Sequence, residues 1–177
     1  MADASYIDDL LRRVDRDPTS IAFAQLAEEL RRAGELERAA DICRAGLAVH
    51  PDYISARVTL ARALAGLGRL EDAEAELERV LRAAPENLAA NRELAGIYRR
   101  RGNPREGLAR YRAALSLAPN DPELQHVVAA LSLEVGAVSP AEVNAPAPAA
   151  RVNVELGRTV RTIAALEQFL AAARLAP

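Results

Sequence analysis

The chain has 177 residues, half of them apolar but only 3% aromatic, with a formal net charge of −2 and a pI near 5.8. That length suits one domain, and the mildly acidic balance excludes a general binder of nucleic acid or of anionic membrane. A core so short of aromatic rings must be built from alanine and leucine, which favours helices.

All 23 basic residues are arginine, and with the alanine excess this points to a GC-rich, bacterial coding bias rather than to recognition chemistry. The single cysteine, Cys43, excludes an intramolecular disulfide and fits a reducing compartment. It falls on the inward face of its helix and reads as a small buried apolar residue, not a reactive thiol. Met1 to Asp9 is acidic and has no apolar run of signal-peptide length, and no stretch approaches a membrane span. The expectation is a cytoplasmic protein without membrane insertion.

In chain order, residues 4–15 carry Ile7, Leu10, Leu11 and Val14 on one stripe, with Asp8, Asp9, Arg12 and Arg13 opposite. This predicts an amphipathic helix within residues 1–16 that caps the open apolar end of the first hairpin, in preference to serving as a partner-binding arm. From Asp17 to Ala118 one pattern returns every 34 residues: Pro51, Pro85 and Pro119 are that far apart, as are Gly34, Gly68 and Gly102, and Gly136 continues the glycine series. A glycine mid-unit and a proline at its end, held in phase, mark stacked helical hairpins that cannot bury their apolar faces alone.

In the first unit Phe23, Leu26, Ala27 and Leu30 precede Gly34, then Leu36, Ala39, Cys43 and Leu47 lead to Pro51. In the second, Asp52 is a candidate cap for a helix starting near Tyr53 that carries Val58, Leu60, Ala61 and Leu64. Gly68 closes that helix in the left-handed conformation, and Ala73, Leu77, Val80 and Leu81 follow on the second helix until Pro85. In the third, Leu94, Ala95, Ile97 and Tyr98 precede Gly102, Asn103–Pro104 reads as N-cap and first helical residue, and Leu108, Tyr111, Ala114 and Leu115 lead to Pro119. Small residues recur at fixed places, Ala27, Ala61 and Ala95 in the first helices and Ala39, Ala73 and Gly107 in the second, and allow close helix approach.

A seventh repeat helix, Pro122 to Val135, makes the array 17–136 three full hairpins and the first helix of a fourth. Residues 137–151, with Pro140, Pro146 and Pro148 among alanines, read as a linker. In 152–177 a last amphipathic helix carries Leu156, Val160, Ile163, Leu166, Phe169 and Leu170 on one face. That face can fold back as the missing second helix of the fourth unit, dock on another copy or a partner, or occupy the chain's own groove.

The residues resemble the tetratricopeptide repeat family: Leu26–Ala27, Leu60–Ala61 and Leu94–Ala95 in first helices, Tyr98 near the end of one, Ala39 and Ala73 in second helices, and the terminal prolines. The resemblance covers residues 18–135 and departs from the family at the absent tryptophan, where Phe23, Arg57 and Asn91 stand, and at Gly107. It implies an all-α, right-handed α-solenoid of helix-turn-helix hairpins whose first helices line a concave binding surface. From their place in those helices the implied liners are Ala24, Gln25, Glu28 and Arg31, then Ser55, Val58, Thr59 and Arg62. Arg92, Glu93, Gly96, Arg99 and Arg100 follow in the third unit, then His126, Val127 and Ala130. Family members that clamp the acidic tails of heat-shock chaperones carry lysine and asparagine where this chain has Ala24, Glu28, Thr59, Ala89 and Glu93, so that clamp is absent.

Residues 85–118 hold seven arginines against three glutamates. Either Arg99 to Arg101 simply end a helix at its negative dipole end, or Arg62, Arg92, Arg99 and Arg100 line the groove and fork the carboxylates of an acidic peptide. No catalytic set, cofactor loop or metal-ligand spacing stands out: His50 and His126 are isolated, and the pairs Glu28–Glu29 and Glu74–Glu76 read as solvated. The sequence therefore predicts a non-enzymatic adaptor that binds another protein as a peptide or helix, with no cofactor and no nucleic acid. The alternative is a self-assembling protein that forms a homo-oligomer through its C-terminal helix.

Overall fold

The computed structural model describes residues 4–137, which form eight α-helices: α1 (Ala4–Arg16), α2 (Ala22–Arg32), α3 (Leu36–Val49), α4 (Ile54–Gly66), α5 (Leu70–Ala83), α6 (Leu88–Arg100), α7 (Pro104–Leu117) and α8 (Pro122–Ala137). The expected linker and C-terminal helix, with Leu156, Val160, Ile163, Leu166, Phe169 and Leu170, lie outside the described residues.

The turns at the middle of the three hairpins are copies of one another. Gly34, Gly68 and Gly102 have φ of 86°, 80° and 78°. In each, the residue after the glycine donates its amide to a carbonyl five residues back: Glu35 to Leu30 at 2.9 Å, Arg69 to Leu64 at 2.9 Å and Asn103 to Tyr98 at 2.8 Å. The glycine amides close the shorter inner loop onto Arg31, Ala65 and Arg99. Two orphan carbonyls are satisfied at each turn, and only glycine takes that backbone without strain. Gly136 breaks the series, because it lies inside α8 and does not adopt the left-handed region.

The caps hold one further correction. Asp52 accepts no hydrogen bond at the start of α4, whose N-cap residue is Tyr53. The working acceptors sit one residue later in the repeat: Asn87 receives the Ala90 amide at 2.8 Å, and Asp121 receives those of Glu123 and Leu124 at 3.0 and 3.1 Å. Asn103 does precede α7, with Pro104 in the first turn, but its side chain caps nothing.

Each helix packs on the next in sequence, and the first helices α2, α4 and α6 also touch in succession. The small residues lie where helices meet: Ala27, Ala61, Ala95, Ala39 and Ala73 are buried, and a Cβ on Gly107 would stand 3.1 Å from the Ala95 carbonyl. At the N-terminal end, α1 covers α2 by inserting Leu10, which is 0% exposed, with Ile7, Leu11 and Val14 beside it. Burying one leucine this way contributes about 2 kcal/mol.

The missing tryptophan is replaced by two different devices. In the first unit Phe23 stacks on His50, ring centroids 6.0 Å apart and nearly parallel, and lies directly over Gly46. In the later units the equivalent side chain reaches back six residues to the carbonyl of the unit's proline. Arg57 Nε donates to Pro51 at 3.0 Å, Asn91 Nδ2 to Pro85 at 3.1 Å and Gln125 Nε2 to Pro119 at 2.7 Å. Asn91 can therefore be 1% exposed without an unpaired amide.

The glycines separate backbone strain from packing. Gly68→Ala meets no atom within 4 Å, so it should cost only the left-handed penalty of about 1–2 kcal/mol. A Cβ at Gly46 would fall 2.1 Å from the Phe23 ring, so Gly46→Ala should cost more, and Phe23→Leu in the same chain should recover part of the loss; urea denaturation of the three variants measures both.

Candidate protein-binding groove

A cleft of about 660 Å³ opens between α2 and α4. Its walls include Ala24, Gln25 and Glu28 from α2 and Ser55, Val58, Thr59 and Arg62 from α4, all expected from their place in the first helices. Farther along the array, Arg92, Glu93, Gly96 and Val127 line a smaller cleft with Tyr111 and Glu123, while Arg99 and Arg100 line a third with Gly96, Pro104 and Glu134. Arg31, His126 and Ala130 line none of these three, and Arg32 stands in the first cleft where Arg31 was expected.

Sequence reasoning missed several walls. Tyr6 enters from the capping helix, and Tyr53, Ile54 and Asn87 come from the start of α4 and the residue before α6, beside Ala89, whose place in the groove the family resemblance implied. A signal existed for two of them, since Tyr53 and Asn87 are one period apart. Nothing in the repeat foretold Tyr6, because α1 stands outside the period.

The charges of the groove are joined into rungs between successive units. Thr59 Oγ1 donates to Glu28 at 3.3 Å, Arg62 Nε to Glu93 at 2.7 Å, and Arg92 Nη2 to Glu123 at 2.6 Å. Each rung spans 31 residues, one period less a helical turn, so a side chain meets its neighbour one turn nearer the start of the next first helix. Arg92 also holds Asp121 through Nη1 at 2.9 Å. Within α2, Arg31 forks both oxygens of Glu28 at 3.0 and 2.8 Å, and this hydrogen bonding holds the Glu28 carboxyl below its usual range.

Each such partly exposed pair is worth less than about 1 kcal/mol. Their larger effect is on availability, because Arg62 and Arg92 already hold carboxylates of this chain. Nor are the glutamate pairs solvated as expected. The side chains of Glu28, Glu29, Glu74 and Glu76 are 21, 18, 19 and 15% exposed and pair with Arg31 and Arg32, with Arg32, with Arg101, and with Arg57 and Arg79 respectively.

Among the described residues no cluster of three metal-ligating side chains exists, and no helix is long and apolar enough to cross a membrane. Cys43 is buried in α3.

Stacked hairpins with a groove along their first helices define an α-solenoid of the protein-interaction class. The chain belongs to the tetratricopeptide repeat family, whose profile matches residues 30–86 and 75–131. Solved structures share the fold. The crystal structure of MamA aligns with a TM-score of 0.67 at 15% identity, covering 73% of this chain and 77% of that one. TTC0263, a thermophilic tetratricopeptide repeat protein of Thermus thermophilus, is 27% identical with a TM-score of 0.63, covering 72% and 71%. YrrB, a tetratricopeptide repeat protein with an unusual peptide-binding site, is 20% identical with a TM-score of 0.64, covering 77% and 68%. No curated protein matches the chain significantly.

Burial, and secondarily the charge of Glu28, push the Cys43 thiol up to about 12 from an ordinary value of 9.0. The unfolded chain therefore loses this proton first as pH rises. Stability should fall from about pH 9 to about pH 12, and Cys43→Ala should flatten that limb of a pH–denaturation series. At pH 8 the folded thiol should resist iodoacetamide at a rate set by unfolding.

Proposed function

We propose that this chain is a non-enzymatic scaffold that holds a peptide or helix of another protein in the groove along α2, α4, α6 and α8. The observation that carries this reading is the cleft of about 660 Å³, already formed, whose charged walls Glu28, Glu29, Arg32 and Arg62 are held by partners of the same chain. A groove whose side chains are fixed before binding loses little conformational entropy when it is filled. The uncharged walls, Tyr6, Tyr53, Ile54 and Val58 beside Gln25, Ser55, Thr59 and Asn87, suit apolar side chains flanked by backbone hydrogen bonds. The peptide-binding site of YrrB, which shares the fold, supports this reading.

Gln25 and Ser55 are exposed walls of the cleft. Gln25→Trp with Ser55→Trp should fill it, abolish capture of the cellular partner and shift Tm by no more than about 2 °C. Undiminished capture by this variant would move the site off the groove.

A second reading, self-assembly, draws on α8. Its Leu133 is 77% exposed, and among the described residues it belongs to no hairpin partner, whereas the interior units bury their apolar faces on both sides. Self-assembly through this face would give a mass that rises with concentration in sedimentation equilibrium and returns to one chain in Leu133→Glu; a single-chain mass for the unsubstituted protein at all concentrations would end this reading.

A further inference from the structure

The arginines of this chain are not distributed evenly between paired and unpaired states. Among the described residues, every arginine from Arg31 to Arg92 forms an ion pair with a carboxylate. Of the six described residues of this type that follow, Arg99 to Arg112, only Arg101 does, with Glu71 and Glu74. Two of the remainder, Arg99 and Arg100, line the same cleft at the C-terminal end of α6.

The floor of that cleft differs from the preceding unit in a way that bears on its use. Gly96 lies one period after Arg62, the residue that engages Glu93 across the groove. A Cβ at Gly96 would meet only the Tyr111 hydroxyl, at 3.8 Å. Where the second unit places an internally paired side chain, the third leaves open space in a cleft also lined by two arginines. Arg100 is held by Nη1, which donates to the Ala65 carbonyl at 2.8 Å, so its remaining N–H groups keep a fixed direction. Arg99 has no ion-pair partner among the described residues, and Glu134, which also lines the cleft, is paired with neither arginine.

We infer that Arg99 and Arg100, above Gly96, form the anchor for a carboxylate of an acidic peptide bound in the groove. This rests on the groove reading proposed above and gives it a polarity: uncharged contacts between α2 and α4, an acidic side chain or C-terminus at the end of α6. Guanidiniums bind carboxylates through paired N–H donors, and a cleft that supplies two of them, one already oriented, fits such a group. A polynucleotide fits poorly, because its affinity needs many phosphate contacts, the cleft offers two cations beside the Glu134 carboxylate, and the chain is net acidic.

The test is a selection of random dodecapeptides displayed on phage, carried out on the full-length protein, with selected peptides then remeasured by fluorescence anisotropy at about 50 and about 300 mM salt. Aspartate and glutamate should be enriched, affinity should fall with salt, and Arg99→Gln with Arg100→Gln should weaken binding about tenfold or more. Gly96→Glu, which supplies an internal carboxylate at an open helical position, should weaken it similarly. Arg105→Gln with Arg110→Gln, which line none of the clefts described, should leave it within about twofold.

Selected peptides without acidic enrichment that are blocked by the Gln25 and Ser55 tryptophans would overturn the anchor and keep the groove. Failure to select any peptide, or binding indifferent to both sets of variants, would overturn both. Tight binding of oligo(dT) at about 150 mM salt, lost in the Arg99 and Arg100 variant, would replace the peptide by a nucleic acid and overturn the proposal.

Discussion

A helical hairpin of 34 residues has apolar side chains on both broad faces and can bury neither by itself, so its stability exists only in the stack. Everything else in the described array serves to make the stacking regular. The three left-handed glycines give each hairpin the same turn, with the same pair of amide-to-carbonyl bonds behind it. Alanine or glycine at the helix crossings then fixes how near the helices come. Where the stack begins, α1 substitutes for a preceding hairpin, with Leu10 in the role of its apolar face.

Regular stacking carries over to the surface as regular electrostatics. Because successive first helices are offset by one period less a turn, a residue on one meets a predictable residue on the next, and the rungs Thr59–Glu28, Arg62–Glu93 and Arg92–Glu123 result. Such rungs add little stability when partly exposed, but they remove charges from competition for outside ligands. The groove is consequently silent over its first two units, and its unmatched charge is concentrated in the third.

The parts of this fold that were legible in the sequence are those fixed by a residue's own covalent chemistry. Proline lacks an amide and glycine lacks a Cβ, so their 34-residue phase gave the hairpin ends directly. Gly136 shows the limit: glycine permits a left-handed turn without compelling one, and here it stays helical. Asp52 was the wrong capping candidate by one position, and comparing Tyr53, Asn87 and Asp121 one period apart points to the right one. The ion pairs were illegible for a different reason. Arg62 and Arg92 look free in a linear chain, and only the rotation between hairpins reveals Glu93 and Glu123 beside them. Tyr6 belongs to the same category, since no period dictates how α1 is turned on the array.

The two replacements for the missing tryptophan make the units unequal as building blocks. Phe23 needs Gly46 beneath its ring and His50 beside it, so the first unit is a matched set of side chains. Arg57, Asn91 and Gln125 need little more than the carbonyl of their own unit's proline, which every copy carries with it. A gene duplication within residues 51–118 would therefore insert a unit whose internal clasp is complete on arrival. A copy of residues 17–50 would carry Phe23 together with its own Gly46 and His50, a set that works only when it moves whole. The array can lengthen by copying whole units, whereas a crossover between Phe23 and Gly46 would set the ring against a Cβ.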